Sequence, residues 1–412
     1  MHARIRIAGG VAALAVLAAT AAQAAIPASE RDGLIALYNA AGGNQWANNT
    51  NWCSGACPAS GTPTFNAAGT ECTWFGITCD TGSSHVTAIQ LGENGLAGTL
   101  PSLTPFTALQ VFDAHNFDPS LPNLTGPLPS FTGLNQLRVF DVHRNGFSGA
   151  LPSLSGMTAL QKFDVSVNFL DGTIPPLTGL SGLQYFAVDS NYLAGSIPSL
   201  AGLSALQYFD VDSNLLTGAI PSVTGLSNLQ QFLVFNNQLS GFLPALMNLP
   251  SLERFDASAN FLTGSIPPLT ALPALDYFAV YSNQLSGSIP PLGGLTALTY
   301  FDANTNFLSG SLPDIAGLTA LGYFSVYRNF LSGTVPPMTG DDALYAVLLA
   351  HNQLSGGLPS APANLAPGMS TLCPNAFDLN PDAGWDAAVG QSPWYGNPPQ
   401  CGDTIFGDGF DG

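Results

Sequence analysis

Charged residues are scarce in this sequence, and basic residues are the scarcest. Charged residues make up 8% of 412 residues, with 8 Lys and Arg against 26 Asp and Glu; about a quarter is usual in a soluble domain. The formal net charge is −18. Nucleic-acid phosphates and anionic lipid surfaces attract basic patches, which so few cations cannot build. We therefore expect no nucleic-acid partner and no binding to a charged membrane surface.

Long apolar runs are also absent, except near the N-terminus. Arg4 and Arg6 precede the apolar residues 7–19, and the small residues Ala22 and Ala24 follow. This order is typical of a secretory signal, and the run is shorter than the ~17–25 residues of a spanning helix. We interpret residues 1–24 as a signal peptide. We expect a secreted protein, extracellular or at the cell surface, with no transmembrane segment after signal removal and with its oligomeric state open.

Cysteine is absent from the long middle of the chain and occurs only towards its ends. The spacings of the cysteines fit zinc sites poorly, and export favours oxidation, so we expect disulfides. Four N-terminal cysteines allow three pairings, which the sequence does not distinguish. Proximity along the chain favours pairing Cys53 with Cys57, Cys72 with Cys79, and Cys373 with Cys401.

The middle of the chain repeats every 23 residues. Glycine recurs at this step from Gly126 to Gly356, a proline follows each glycine by three residues, and asparagine recurs from Asn145 to Asn352. With an earlier unit around Asn94 there are twelve units, which read approximately L-x-x-F-x-V-x-x-N-x-L-x-G-x-I-P-x-L-x-G-L-x-x. Such a period indicates a solenoid in which each unit buries its apolar face against its neighbours.

Each part of the unit predicts a piece of structure. The alternation of Leu160, Phe163 and Val165 predicts a short strand with one buried face, and stacked units then form a parallel concave sheet. We expect the asparagine to hydrogen-bond the backbone of the next coil. Glycine and proline favour turns and extended segments, so we expect a convex side that is mostly irregular or 3₁₀.

The unit resembles the leucine-rich repeat, and its L-x-G-x-I-P segment is similar to the plant-type subclass of receptor ectodomains and polygalacturonase-inhibiting proteins. The resemblance covers about residues 30–360, and the segment from Trp46 to Cys79 resembles that family's N-terminal cap. It implies a leucine-rich repeat solenoid shaped as a horseshoe or superhelix, with disulfide-bonded caps. Two features depart from the subclass: a unit of 23 residues instead of 24, and phenylalanine at the first inward position of the strand.

We divide the chain at these boundaries. Residues 1–24 form the signal peptide, 25–85 an N-terminal cap, 86–359 the twelve repeats, 360–402 a C-terminal cap and 403–412 a tail. The cap begins with a helix that we expect Ser29 to cap and Gly42 to end. The second unit contains a five-residue insertion. We expect residues 115–124 to bulge as a loop, either as a tolerated insertion or as a contact for a partner.

Tyrosine and aspartate dominate the positions that point away from the core on the predicted concave face. From Asp164 onward, aspartate occupies one column in alternate units, which spaces these carboxylates by about 9–10 Å. Aromatic side chains supply rigid contact area. The candidate ligand-binding residues are Tyr185, Asp189, Tyr208, Asp210, Asp212, Arg254, Asp256, Tyr277, Tyr281, Tyr300, Asp302, Tyr323 and Tyr327.

These columns favour non-enzymatic recognition of an extracellular protein or glycan, with no cofactor and no metal. His115 and His143 stand beside aspartates, but we expect them on an open surface without the pocket that catalysis needs. A calcium loop starting at Asp378 lacks its glycine. A surface-displayed structural or adhesive spacer is the alternative function. An enzyme inhibitor, or an ice-binding protein that uses the serines and threonines beside each glycine, is a minor one.

Overall fold

A computed structural model describes residues 25–338, 340, 343–396 and 401. The predicted signal peptide and the tail at 403–412 lie outside the described residues. In the described part, no helix is both long and apolar enough to cross a membrane. The predicted solenoid is confirmed, with stacked parallel strands through the repeats and a disulfide-bonded segment towards each end.

The concave sheet has 13 strands, and each after the second pairs in parallel with the strand one coil before it. Tyr185 pairs with Tyr208, so the register equals the sequence period. The strands are Ile77–Cys79, Val86–Gln90, Val111–Asp113, Val139–Asp141, Lys162–Asp164, Tyr185–Ala187, Tyr208–Asp210, Gln231–Leu233, Arg254–Asp256, Tyr277–Ala279, Tyr300–Asp302, Tyr323–Ser325 and Ala346–Leu348.

A column of phenylalanines forms the core behind this sheet. One ring per coil, from Phe112 to Phe324, is buried, and neighbouring rings stack with centroids such as 5.4 Å apart for Phe209 and Phe232. The asparagine column lies at the end of each strand. Our expectation that it bonds the next coil is wrong, because Asn214 donates to the Val188 carbonyl and accepts from the Leu193 amide in the preceding coil.

A second set of parallel strands, which the sequence analysis did not predict, follows the asparagines, while the longer outer part of each coil, such as residues 219–230, is irregular as expected. We call this second set of strands the flank sheet. The asparagine carbonyl oxygen holds the backbone extended, and one leucine per strand points inward. Four strands form one part: Gly98–Thr99, Leu124–Gly126, Gly146–Ala150 and Phe169–Asp171. Nine form the other: Ala194–Ser196, Leu215–Gly218, Gln238–Phe242, Phe261–Gly264, Gln284–Gly287, Phe307–Gly310, Phe330–Gly333, Gln353–Gly356 and Ala376–Phe377.

The N-terminal cap begins with helix α1, Ala28–Ala40, and contains 3₁₀ turns at Gly43–Gln45 and Glu71–Thr73. The prediction that Ser29 caps the helix is wrong, because Pro27 occupies the N-cap position and Ser29 lies inside the first turn. Proline fixes the backbone angle that a helix start needs and has no amide to satisfy. Disulfides join Cys53 to Cys57 and Cys72 to Cys79, as proximity predicts.

The C-terminal cap contains helix α2, Ala383–Val389, and the disulfide between Cys373 and Cys401. Asp382 lies at the N-cap of α2 and accepts hydrogen bonds from the Gly384 and Trp385 amides. This carboxylate therefore has a structural partner on the helix. We did not predict this helix.

Candidate functional site

The candidate site is the outward face of the concave sheet. Because the strands pair at the sequence period, residues one period apart in the sequence stand side by side, and each predicted column becomes a continuous row across the coils. Side chains alternate between the two faces of a strand. The five tyrosines that directly precede an inward phenylalanine, Tyr185, Tyr208, Tyr277, Tyr300 and Tyr323, are half-buried and accessible from the concave side.

The tyrosines form two stacks. Tyr185 and Tyr208 lie with ring centroids 4.3 Å apart and planes 4° apart. Tyr277 stacks on Tyr300 with the centroids 4.5 Å apart, and Tyr300 stacks on Tyr323 at the same distance. Packing at this distance removes the rings from water and restricts their rotation. The concave face therefore presents two rigid aromatic surfaces, separated by the coils of Gln231 and Arg254.

A basic side chain covers the N-terminal end of each stack. The Lys162 ammonium lies 4.9 Å from the centroid of the Tyr185 ring, and the Arg254 guanidinium lies 3.8 Å from that of Tyr277. Both distances are within the range of a cation–π interaction. The two stacks thus repeat one arrangement, a cation followed by stacked tyrosines, four coils apart in the solenoid.

Two of the aspartates that follow the inward phenylalanines, Asp210 and Asp302, lie beneath tyrosines of their own strands and not on the open surface we expected. Asp210 and Asp302 are 4% and 3% exposed. The Tyr208 hydroxyl donates to Asp210 at 2.8 Å, and the Tyr300 hydroxyl donates to Asp302 at 3.2 Å. On these two strands the long tyrosine side chain lies over the shorter aspartate. Burial raises the pKa of Tyr208 and Tyr300, and the neighbouring carboxylates raise it further.

Asp189, Asp210 and Asp212 form the densest carboxylate group of the face. Each offers an oxygen within 4.8 Å of the others. Burial, together with the charges of Asp212 and Asp164, raises the pKa of Asp189 to about 6. Burial also raises the pKa of Asp210 and Asp212. Ionising one of these buried groups disfavours ionisation of the next, so the group holds protons at a pH where exposed aspartates have lost theirs.

The first coils differ, because aspartates there occupy three consecutive units and cations accompany them. Lys162 lies 2.7 Å from Asp141 and 3.5 Å from Asp164, and His143 lies 2.6 Å from Asp141. Burial alone would raise the pKa of Asp141, but the hydrogen bonds from His143 and Lys162 outweigh it and lower the pKa to about 2. Burial would likewise lower the pKa of His143, and its bond to Asp141 raises it instead.

The structure brings most of the predicted residues together, with some exceptions. Tyr281 and Tyr327 lie in the next outward column, two coils apart, and do not stack on each other; Tyr327 contacts His351 edge-on. Sequence analysis missed Tyr345, whose ring extends the second stack at 6.2 Å from Tyr323. Tyr345 stands one residue before the tyrosine column, so a strict step along the sequence passes it. The candidate residues chosen from the sequence also omitted Lys162, which lies in the tyrosine column.

The fold has clear counterparts among solved structures, although no protein-family model and no curated protein matches the chain. The complex of PEPR1 with AtPEP1 aligns at a TM-score of 0.72 and 27% identity, over 85% of this chain and 49% of that one. The leucine-rich repeat ectodomain of the Arabidopsis receptor kinase HAESA, in complex with an IDA peptide hormone, aligns at 0.63 and 27%, over 85% of this chain and 57% of that one. The chain has the fold of a leucine-rich repeat solenoid, similar to that of these plant receptor structures.

This leucine-rich repeat chain spans about half the length of the receptor chains it matches. A plant ice-binding protein is also similar, with a TM-score of 0.52 and 25% identity over 82% of this chain and 99% of that one. The likeness to extracellular receptor domains agrees with the three disulfides. The protein is secreted or extracellular.

Proposed function

We propose that this leucine-rich repeat protein is a non-enzymatic extracellular recognition protein whose concave face binds a protein or glycan partner. The observation that carries the proposal is the pair of tyrosine stacks with buried aspartates beneath them. Stacked tyrosines provide a rigid, amphipathic surface that loses little conformational entropy when a partner binds. The similar ectodomain of HAESA was solved in complex with a peptide hormone, which favours a peptide or protein.

The concave face can be tested with three single variants and one matched control. Panels of secreted proteins, peptides and glycans are screened for saturable binding to the parent protein. We expect Tyr208→Ala and Tyr277→Ala each to weaken a specific interaction by more than ~10-fold, because central aromatic residues carry most of the energy of an interface. Asp210→Asn removes the negative charge of the buried carboxylate and tests whether that charge contributes to binding. Phe261→Ala removes an exposed ring on the flank sheet and serves as the control.

The Phe261→Ala control distinguishes the concave face from the flank sheet as the binding surface. If Phe261→Ala abolishes binding while the tyrosine variants bind as tightly as the parent, the flank sheet is the binding surface and the concave proposal is wrong. If no member of the panels binds saturably at low or at high salt, the spacer function is supported instead. Circular dichroism and thermal unfolding of each variant separate lost binding from lost folding.

Ice binding is a second candidate, favoured by a different surface. The flank strands from Ala194–Ser196 to Gln353–Gly356 contain no charged residue, although the chain is strongly acidic. The column of hydroxyls in this sheet is regular and exposed except at the half-buried Thr263, and the similar plant ice-binding protein matches over nearly its whole length. Phe242 interrupts the face, since its ring is 71% exposed. The hydroxyls belong to Thr217, Ser240, Thr263, Ser286, Ser309 and Ser332.

Thermal hysteresis and ice recrystallisation distinguish this candidate from the first. If the flank sheet binds ice, Ser286→Lys should reduce both activities, because a charged side chain orders water in a shell that does not fit the crystal. Tyr208→Ala should leave them unchanged. A parent protein without either activity excludes ice binding.

A further inference from the structure

Two histidines lie side by side at the N-terminal end of the concave face, outside the tyrosine stacks. His115 and His143 occupy one column in neighbouring coils, and their rings are parallel within 2° with centroids 5.0 Å apart. The insertion in the second unit brings Phe117 against both rings, at 5.3 Å and 4.7 Å. The side chains are only 22% and 11% exposed. The open surface expected from the sequence is therefore a partly covered site.

A carboxylate orients each imidazole. The Nδ1 atom of His115 lies 2.6 Å from an oxygen of Asp113, and that of His143 lies 2.6 Å from an oxygen of Asp141. A carboxylate accepts the Nδ1 proton, which leaves the lone pair on Nε2 free in the neutral ring. The same carboxylate–histidine pair orients the histidine ligands of metal sites. Both rings are thus prepared to offer Nε2 as a ligand.

Glu93 supplies a third donor. Its Oε1 atom lies 3.6 Å from His115 Nε2, a separation that suits two ligands of one ion held at about 2.0–2.2 Å from each. The two imidazole rings are parallel with their centroids 5.0 Å apart, so an ion that takes both as ligands draws the two rings closer together.

We propose that Glu93, His115 and His143 form a binding site for a divalent transition-metal ion such as Zn²⁺ or Ni²⁺. Two imidazoles and one carboxylate are donors that these ions prefer, whereas Ca²⁺ and Mg²⁺ prefer oxygen ligands alone. Lys162 neutralises the carboxylates of Asp141 and Asp164 behind His143.

Calorimetric titration of tag-free protein with ZnCl₂ or NiCl₂ tests the site. We expect one ion per chain, and at least a ~10-fold loss of affinity for His115→Gln, His143→Gln and Glu93→Gln. Asp113→Asn, which changes only the orienting carboxylate, should cost about 10–100-fold. His351→Gln is the matched control, since His351 also lies on the described solenoid but far along the chain, and it should bind as the parent does.

A spectroscopic measurement identifies the metal ligands independently of the titration. The absorption spectrum of bound Co²⁺ reports imidazole and carboxylate ligands directly, and it should disappear in the double variant His115→Gln/His143→Gln. The proposal is overturned if the folded double variant binds Zn²⁺ as tightly as the parent, or if His351→Gln loses as much affinity as His143→Gln.

Discussion

At the scale of single residues, the buried asparagines hold the coils together. The side-chain amide of Asn214 donates to the carbonyls of Val188, Val211 and Asp212, and its oxygen accepts from the Leu193 amide. One side chain therefore satisfies four backbone groups in two coils. An unpaired buried backbone group costs about 1–3 kcal/mol, so this position tolerates substitution poorly.

We predict that Asn214→Ala lowers the free energy of unfolding by more than about 2 kcal/mol, because at least two buried backbone groups lose their partners at once. Urea unfolding followed by circular dichroism measures the change. Asn228→Ala is the control, since Asn228 is exposed and makes a single bond to the Ser204 carbonyl. Equal losses in the two variants would contradict the structural role of the asparagine column.

The carboxylates of Asp189 and Asp210 predict a stability that depends on pH. Their pKa values in the folded chain are raised above the value near 4 of an unfolded chain, so the folded state binds these protons more tightly. Their stabilising contribution is fully present below pH 4. For Asp189 it is lost as the pH rises towards and through about 6, and for Asp210 it is lost at higher pH.

We therefore predict that Asp210→Asn gains stability relative to the parent between pH 5 and pH 8, because the amide resembles the protonated carboxyl. Urea unfolding at both pH values measures the difference. Asp171→Asn changes an exposed carboxylate on the flank sheet and should show no such gain. If the free energies of unfolding of the parent and of Asp210→Asn change equally between the two pH values, the buried Asp210 does not hold its proton as we infer.

At the scale of strands and sheets, the period of the sequence was enough to predict the concave sheet but not the flank sheet. Phe232 illustrates the concave sheet, because the alternation of apolar and other residues around it predicts a strand with one buried face. The flank strands show one inward leucine between exposed residues and then a glycine with positive φ, as at Gly241. That pattern is too short to distinguish a strand from a turn. The flank strands are held by hydrogen bonds to the neighbouring coil, and the sequence of one repeat unit taken alone does not show these bonds.

The same logic limits prediction of the site. The columns of tyrosine and aspartate followed from the period, but the burial of Asp210 depends on where the Tyr208 side chain lies, which is a matter of packing. The covering of His115 and His143 by Phe117 depends on the path of an insertion. Neither the burial of Asp210 nor the position of Phe117 can be predicted from the sequence pattern alone.

We predict that Phe232→Ala destabilises the protein by about 3–5 kcal/mol, because it leaves a cavity in the continuous phenylalanine column. Phe261→Ala removes the same side chain from the flank sheet, where the ring is 53% exposed, and should cost much less. Denaturant titration of both variants checks the contrast. Similar losses would mean that the flank rings contribute as much as the core.

At the scale of the whole molecule, each coil contacts mainly its two neighbours, so the length of the stack is adjustable. Removal of residues 231–276 takes out two complete periods and joins Gln230 to Tyr277. The register of the remaining coils is unchanged, and Tyr208 then stands beside Tyr277. The deletion also removes Arg254 and leaves aspartate in alternate coils.

We predict that this shortened chain folds and unfolds cooperatively at a somewhat lower temperature, with a single stack of five tyrosines. Deletion of residues 231–265 starts at the same residue but breaks the period, and should prevent folding. Near-ultraviolet circular dichroism during thermal unfolding distinguishes the two. Folding of both deletions, or of neither, would contradict a stack built from independent periods.

The two tyrosine stacks have a consequence for the strength of binding. Tyr185 with Tyr208 and Tyr277 with Tyr300 repeat the same arrangement four coils apart, a separation of about 19 Å along the sheet. A partner with one complementary group has two equivalent registers on the protein, which favours its binding by a statistical factor of about two. A partner with two such groups at that spacing engages both stacks at once, and the second contact then forms at a high effective concentration. The concave-face binding that we propose would therefore favour partners whose own repeated groups lie about as far apart as the two stacks.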